Sequence, residues 1–202
     1  MSGETRTFGT YKEYCGSEEP SVASNEEAID WTRQQTTPDQ VHIEAVLDTM
    51  AVAETQILHV GVGNSKLAQR FAGRVRGIDG LTVHQNEKIY ADTLAIPNYT
   101  VYLLNKYNLK VMSVLSHSYD FIIDNNLASF VCCKKHFLSM LENYLAVLRS
   151  QGRILTCQIG MDAYHDDIGC TMRYADLVNL ERQFPLHASK LTDVVYALTV
   201  RP

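Results

Sequence analysis

The segment Ile57–Ala68, ILHVGVGNSKLA, runs from apolar residues into two glycines one residue apart and then into a helical pattern. Gly61 and Gly63 remove side chains where a ligand must pass close to the backbone, and the helix that follows offers free N–H groups. Such a turn suits a nucleotide-like ligand. A pyrophosphate-binding Gly-x-Gly-x-x-Gly would need its third glycine at position 66, which is Lys66, and a phosphate loop would need Gly-Lys-Ser/Thr after a longer turn. Neither is present, so dinucleotide binding and ATP hydrolysis are poorly served. The tighter pattern Gly61-Val62-Gly63-Asn64-Ser65, closing on a small residue, fits better. His59 stands inside the apolar run, either as a core histidine or as a neutral imidazole bonded to the backbone of the turn.

Other residues able to do chemistry are spread along the chain. Asp124 ends the apolar run YDFIID and is followed by Asn125 and Asn126. Proton transfer near neutral pH points to histidine, and His84, His117, His136 and His165 are available, the last beside Tyr164 in GMDAYHDDIGC. The five cysteines, Cys15, Cys132, Cys133, Cys157 and Cys170, are odd in number and contain no C-x-x-C pair. Neither a disulfide framework nor a zinc knuckle is indicated, and a reducing, cytoplasmic compartment fits. Cys132 and Cys133 open a helix, where a thiolate is favoured, but no base partner is evident and they read as bystanders.

The elements that must position these residues follow from periodicity. Ser24 or Asn25 can cap a helix over EEAIDWTRQQ, and Pro38 opens a second, PDQVHIEAVLDTM. From Gln56 onward strands alternate with helices: QILHV, then SKLAQRFA; RVRGIDGLTV, then NEKIYADTLA; TVYLLNKY; YDFIID, then KKHFLSMLENYLAVLRS; RILTCQI, then RYADLVNLERQF; and last DVVYALTV. LKVMSVL reads as helix or strand. The alternation predicts an α/β fold with a mainly parallel sheet, whose ligand lies beyond the carboxyl ends of the strands. The two early helices have no strand to cross between, so residues 1–54 are expected to cover the crevice and 55–202 to form the core of a single domain. With 202 residues, 46% hydrophobic and 20% charged, the chain reads as globular, and its net charge of -5 argues against a nucleic-acid partner. No apolar run approaches a membrane span.

Here the sequence resembles the class I S-adenosylmethionine-dependent methyltransferases, from about Gln56 to the C-terminus. ILHVGVGNS resembles their first motif, YDFIID their fourth strand, and MLENYLAVLRSQGRILT the helix–Gly–strand segment before the fifth. The resemblance implies a three-layer Rossmann-like sandwich with a mostly parallel seven-stranded sheet and an antiparallel last strand. It implies S-adenosyl-L-methionine as cofactor and S-adenosyl-L-homocysteine as product, held by His59, Gly61, Val62, Gly63, Asn64 and Ser65. His59 stands where the family usually has an acid, and Ser65 where it has a third glycine.

The family's ribose-binding acid ends the second strand, because two hydroxyls want a bidentate acceptor. Asp79 fits by chemistry, whereas Thr82, followed by Val83, fits by spacing to the next helix. Asn105 and Asn108 are candidates to meet the adenine, and Asp124 with Asn125 takes the position facing methyl donor and acceptor. Asp124 is therefore the acid expected to matter most, and Asp124→Ala is expected to impair turnover more than folding. Tyr164 and His165, in the last loop, form the expected base region. Tyr11, Tyr14 and Trp31 could pack over the sulfonium. Asp162, His165, Asp166 and Asp167 lack the pairing of the metal-dependent relatives, so no metal is expected.

The implied activity is methyl transfer to an oxygen or nitrogen of a small-molecule acceptor, with no nucleic-acid or membrane partner, by a monomer or homodimer. A protein-lysine methyltransferase and a degenerate cofactor-binding module are the alternatives. The first rests on Gly63-Asn64-Ser65, and the second on His59, Ser65 and the uncertain ribose acid.

Overall fold

The computed structural model describes residues 6–20, 30–108, 115, 118–162 and 170–201. Seven strands, β1 (Gln56–Val60), β2 (Gly77–Thr82), β3 (Tyr99–Leu103), β4 (Tyr119–Asp124), β5 (Leu148–Cys157), β6 (Leu186–Lys190) and β7 (Val195–Val200), make one sheet. Their order is β3-β2-β1-β4-β5-β7-β6. The first five pair in parallel, and β7 runs antiparallel to both β5 and β6. The helices are α1 (Pro38–Met50), α2 (Lys66–Phe71), α3 (Gln85–Thr93), α4 (Lys134–Val147), α5 (Gln158–Asp162) and α6 (Tyr174–Leu180). This is the expected Rossmann-like sandwich. Among the described residues no helix is long and apolar enough to cross a membrane.

Both faces of the sheet are buried, which is why the central strands read as near-continuous apolar runs. Leu58, Ile122 and Ile154 point to one side, toward Phe137, Leu141 and Leu177 of α4 and α6. Ile57, Ile123 and Leu155 point to the other, toward Ile43 and Leu47 of α1 and Phe71 of α2. Helix α1 is thus a layer of the sandwich itself. Only its first turn, through Thr37 and Gln40, reaches a cavity beside the β1 turn.

Several elements differ from the sequence reading. Residues 26–29 lie outside the described residues, and Trp31–Arg33 forms a turn rather than a helix, with Asp30 accepting from the Thr32 backbone and hydroxyl. Helix α4 stops at Val147, and the next residues already belong to β5. Gly152 is needed there, since a Cβ would lie 2.9 Å from the Arg149 carbonyl oxygen. Strand β6 was not distinguished from a loop, because LHASK buries only Leu186 and Ala188. LKVMSVL lies outside the described residues, apart from Leu115.

One close approach positions the turn after β1. A Cβ on Gly80 of β2 would lie 2.5 Å from Val62 Cγ1 and 3.1 Å from Val101 Cγ2. The missing side chain is the socket into which Val62 seats. Gly80→Ala is therefore expected to lower the unfolding free energy by about 1–3 kcal/mol in urea titrations. Gly9→Ala, with nothing within 4 Å of the added Cβ, should leave it unchanged.

Candidate functional site

The turn after β1 takes three left-handed residues in alternation, Gly61 (φ 76°), Gly63 (φ 48°) and Ser65 (φ 54°). Side chains raise the energy of that conformation by about 1–2 kcal/mol, which accounts for the two glycines. Ser65 is held in it instead: its backbone N–H donates to the Val62 carbonyl at 2.9 Å, and its hydroxyl lies 3.0 Å from the Tyr99 hydroxyl. A Cβ on Gly61 would meet nothing within 4 Å, so this glycine faces open space. Asn64 ties the turn down on its other side, its amide donating to the Gln34 carbonyl at 3.0 Å.

That open space is a cleft of about 220 Å³ beyond the carboxyl ends of β1, β2, β3 and β4. The β1 turn lines it together with Thr82, Val83 and His84, the segment Leu104–Tyr107, and Asp124, Asn125, Asn126, Ser129 and Phe130. The topological switch point lies here, since β2 and β4 flank β1 on opposite sides. Of the two registers for the second strand, Thr82 stands at the cleft. Asp79 is in mid-strand beside Leu58 and accepts from the buried Tyr119 hydroxyl at 2.6 Å. It does not line the cleft.

The carboxylate that does is Glu87, on the first turn of α3. One of its oxygens accepts from the Gly63 N–H at 3.1 Å and from the Thr82 hydroxyl at 2.6 Å. Glu87 so joins the β1 turn to the end of β2. Sequence reasoning missed it, because a glutamate three residues past a helix N-cap reads as an ordinary dipole partner. Its signal was the five-residue spacing from Thr82, visible only once that register is chosen.

Asp124 is at the cleft but heavily engaged. Lys106, itself buried, donates to both of its carboxylate oxygens at 3.1 and 3.0 Å, and the Tyr144 hydroxyl donates to one at 2.8 Å. The same ammonium also donates to the carbonyls of Asn126 and Leu127 and to the Ser129 hydroxyl. Burial pushes the Asp124 carboxyl above and the Lys106 ammonium below their ordinary values, and their contact only partly offsets this. The pair is a clamp on the loop after β4, not an accessible base.

His59 faces a second, smaller cavity of about 150 Å³ on the other side of the β1 turn. Among the described residues neither ring nitrogen has a hydrogen-bond partner, and burial lowers its pKa from 6.5 to about 4. It is neutral and does not bond the backbone of the turn. Trp31 Nε1 and Asn125 Oδ1 are likewise buried without partners, and all three residues line this cavity. Trp31 is the aromatic residue near the glycines, 3.8 Å from the position of a Gly63 Cβ. Tyr11 is buried elsewhere, donating to the Val131 carbonyl, and the exposed Tyr14 bonds Glu18.

The Asn125 amide donates to Gln40 Oε1 at 2.8 Å, and its carbonyl accepts from the Cys157 N–H and the Thr156 hydroxyl. Asn105 lines the cleft, its side-chain oxygen accepting from the Tyr107 N–H, whereas Asn108 is not among the lining residues. Tyr164, His165, Asp166, Asp167 and His117 lie outside the described residues.

Two outcomes follow. Asp124→Ala would strand the Lys106 ammonium in the interior, so it is expected to destabilise the fold by about 3–5 kcal/mol. The sequence reading had this substitution touching turnover more than folding. Denaturant titration decides, and Asp124→Ala with Lys106→Met should recover part of the loss. His59 gives a pH signature. Between pH 6.5 and 4 the unfolded chain binds a proton that the folded chain refuses, so stability is full above 6.5 and falls as the pH drops. The loss amounts to about 3 kcal/mol by pH 4. His59→Gln should flatten this limb relative to wild type in urea titrations at matched pH.

The sequence matches no protein-family model, and no curated protein matches it significantly by sequence. Solved structures do resemble it in shape. The N-methyltransferase NodS from Bradyrhizobium japonicum WM9, in complex with S-adenosyl-L-homocysteine, aligns over 88% of this chain and 95% of its own, with a TM-score of 0.64 at 11% identity. An rRNA methylase from Streptococcus thermophilus aligns over 84% and 99%, with a TM-score of 0.54 at 15% identity. A ribosomal protein L11 methylase from Lactobacillus delbrueckii subsp. bulgaricus aligns over 83% and 81%, with a TM-score of 0.55 at 10% identity. The three carry different names, and at 10–15% identity the likeness is one of fold. The chain has the Rossmann-like fold of the class I S-adenosylmethionine-dependent methyltransferases.

Proposed function

We propose that this protein binds S-adenosyl-L-methionine across the two cavities and transfers its methyl group to an oxygen or nitrogen of a small-molecule acceptor. The observation that carries the reading is the charge of the cleft. Its one lysine or arginine among the described residues, Lys106, is neutralised by Asp124, while Glu87 stands at the wall tied to Gly63 and Thr82. Among those residues a phosphate-bearing ligand would meet no available cation. A cationic, phosphate-free cofactor meets an acid. The space in front of Gly61, which any side chain would invade, and the unpartnered Trp31 Nε1 and Asn125 Oδ1 fit such a ligand as well.

In this reading Glu87 replaces the strand-end acid and receives the ribose hydroxyls, with Thr82 and Val83 beneath them. Asn105 faces the adenine, and Asn125 stands between donor and acceptor. When bound, the cofactor supplies an electrophilic methyl group on a sulfonium. The chain's part is to align the acceptor, exclude water and take up a proton where the acceptor carries one. Asp124, saturated by Lys106 and Tyr144, holds the loop rather than the proton, so the base is assigned to the Tyr164–His165 segment.

Titration calorimetry with S-adenosyl-L-homocysteine tests the site. Binding is expected, Glu87→Gln should weaken it about tenfold or more, equivalent to about 1.4 kcal/mol, and Gly61→Val should abolish it. No affinity for either cofactor form would overturn the reading, and unchanged affinity in Glu87→Gln would remove that residue from the site. Product accumulating only when a small-molecule extract is added would separate an enzyme from a cofactor-binding module.

A further inference from the structure

Away from the cleft, Cys15, Cys132, Cys133 and His136 bring three sulfurs and one imidazole nitrogen within 4.8 Å of one another. Cys15 comes from the N-terminal segment, Cys132 and Cys133 from the residues leading into α4, and His136 from its first turn. In sequence Cys132 and Cys133 read as bystanders for want of a base partner, and the missing C-x-x-C spoke against a zinc knuckle; Cys15, more than a hundred residues away, lies outside any such pattern. His136 Nδ1 lies 3.6 Å from Cys15 Sγ, 3.0 Å from Cys132 Sγ and 3.3 Å from Cys133 Sγ. A neutral imidazole has one lone pair, and one thiol proton satisfies it. Cys15 Sγ also lies 3.5 Å from the Ser17 carbonyl oxygen, and the three sulfurs with one nitrogen together make a donor set suited to a borderline-soft metal ion.

We infer that Cys15, Cys132, Cys133 and His136 form a structural zinc site. A tetrahedral Cys₃His centre has sulfur–nitrogen edges of about 3.6 Å and sulfur–sulfur edges of about 3.8 Å, so the contacts of Cys132 and Cys133 with Nδ1 would lengthen by about 0.6 and 0.3 Å. The second shell is already in place. His136 Nε2 lies 3.3 Å from the Glu18 carbonyl oxygen, so an Nε2–H donating there leaves Nδ1 for the metal. Binding releases three thiol protons to solvent, and the Zn²⁺ with three thiolates carries a net charge of -1. That charge falls at the N-terminus of the fourteen-residue α4, where the helix dipole favours it.

The segment it would fasten is already aligned. Lys134 and Lys135 donate backbone N–H bonds to the carbonyls of Lys12 and Glu13, and their ammonium groups pair with Glu13 and Glu18. The loop whose later residues supply two of the sulfurs also supplies Ser129 and Phe130 to the cleft wall. A metal at this corner would hold that loop from its far end.

Metal analysis of the full chain, purified under reducing conditions without chelator and supplied with zinc, should find one zinc per chain. Replacement by cobalt should give the thiolate charge-transfer and strong visible bands of a tetrahedral sulfur-rich site. Cys15→Ser, on the outer segment, should weaken zinc at least tenfold in chelator competition, whereas Cys170→Ser should retain it. Titrating wild-type protein with a mercurial should release the zinc, so the assignment is testable even where a variant folds poorly. Reduced protein that takes up neither metal, or equal retention in Cys15→Ser and Cys170→Ser, would overturn the inference.

Discussion

The contact between the Lys106 ammonium and the Asp124 carboxylate holds the site-bearing end of the sheet together. An unpaired charge at either position would be too costly to bury, so β4 and the segment after β3 must stay in register with each other. The third N–H of Lys106 is shared among the Asn126 and Leu127 carbonyls and the Ser129 hydroxyl. The Tyr107 hydroxyl shares its one proton between the carbonyls of Leu127 and Ser129. A loop that would otherwise be free to drift is fixed by side chains from the sheet beneath it. The cleft therefore has a preorganised wall, which limits the ordering entropy a ligand must overcome.

The opposite wall is made by backbone geometry. Alternating left-handed residues swing the β1 turn so that Val62 drops into the space above Gly80 while Gly61 faces outward. Glu87 then bridges this turn to Thr82. On this side the cleft wall joins the backbone of the glycine turn to one anchored carboxylate, Glu87.

Much of this was legible in the sequence, and the exceptions have physical causes. Strand–helix alternation and the buried runs QILHV and YDFIID disclosed the sheet, because strands covered on both faces have little freedom in composition. Gly61 and Gly63 disclosed the turn through the conformation only glycine takes easily. Asp79 competed with Thr82 because acid chemistry is readable in one dimension, whereas the strand's end is fixed by pairing with Leu103 of β3. Glu87 and Lys106 were passed over since each acts through a partner on another element. The cysteine cluster was incomplete for the same reason, since Cys15 meets Cys132, Cys133 and His136 only across the fold.

The N-terminal segment carries one more consequence. The Phe8 N–H donates to the Thr171 carbonyl, and the Thr171 N–H to the carbonyl of Arg6, so some of the first described residues are bonded to a segment close to the end of the chain. Contacts this distant in sequence delay folding, because the loop they close must be formed before they contribute. During synthesis the Arg6 and Phe8 backbone lacks its Thr171 partner until residue 171 has emerged, whereas Lys12, Glu13 and Cys15 need only the start of α4.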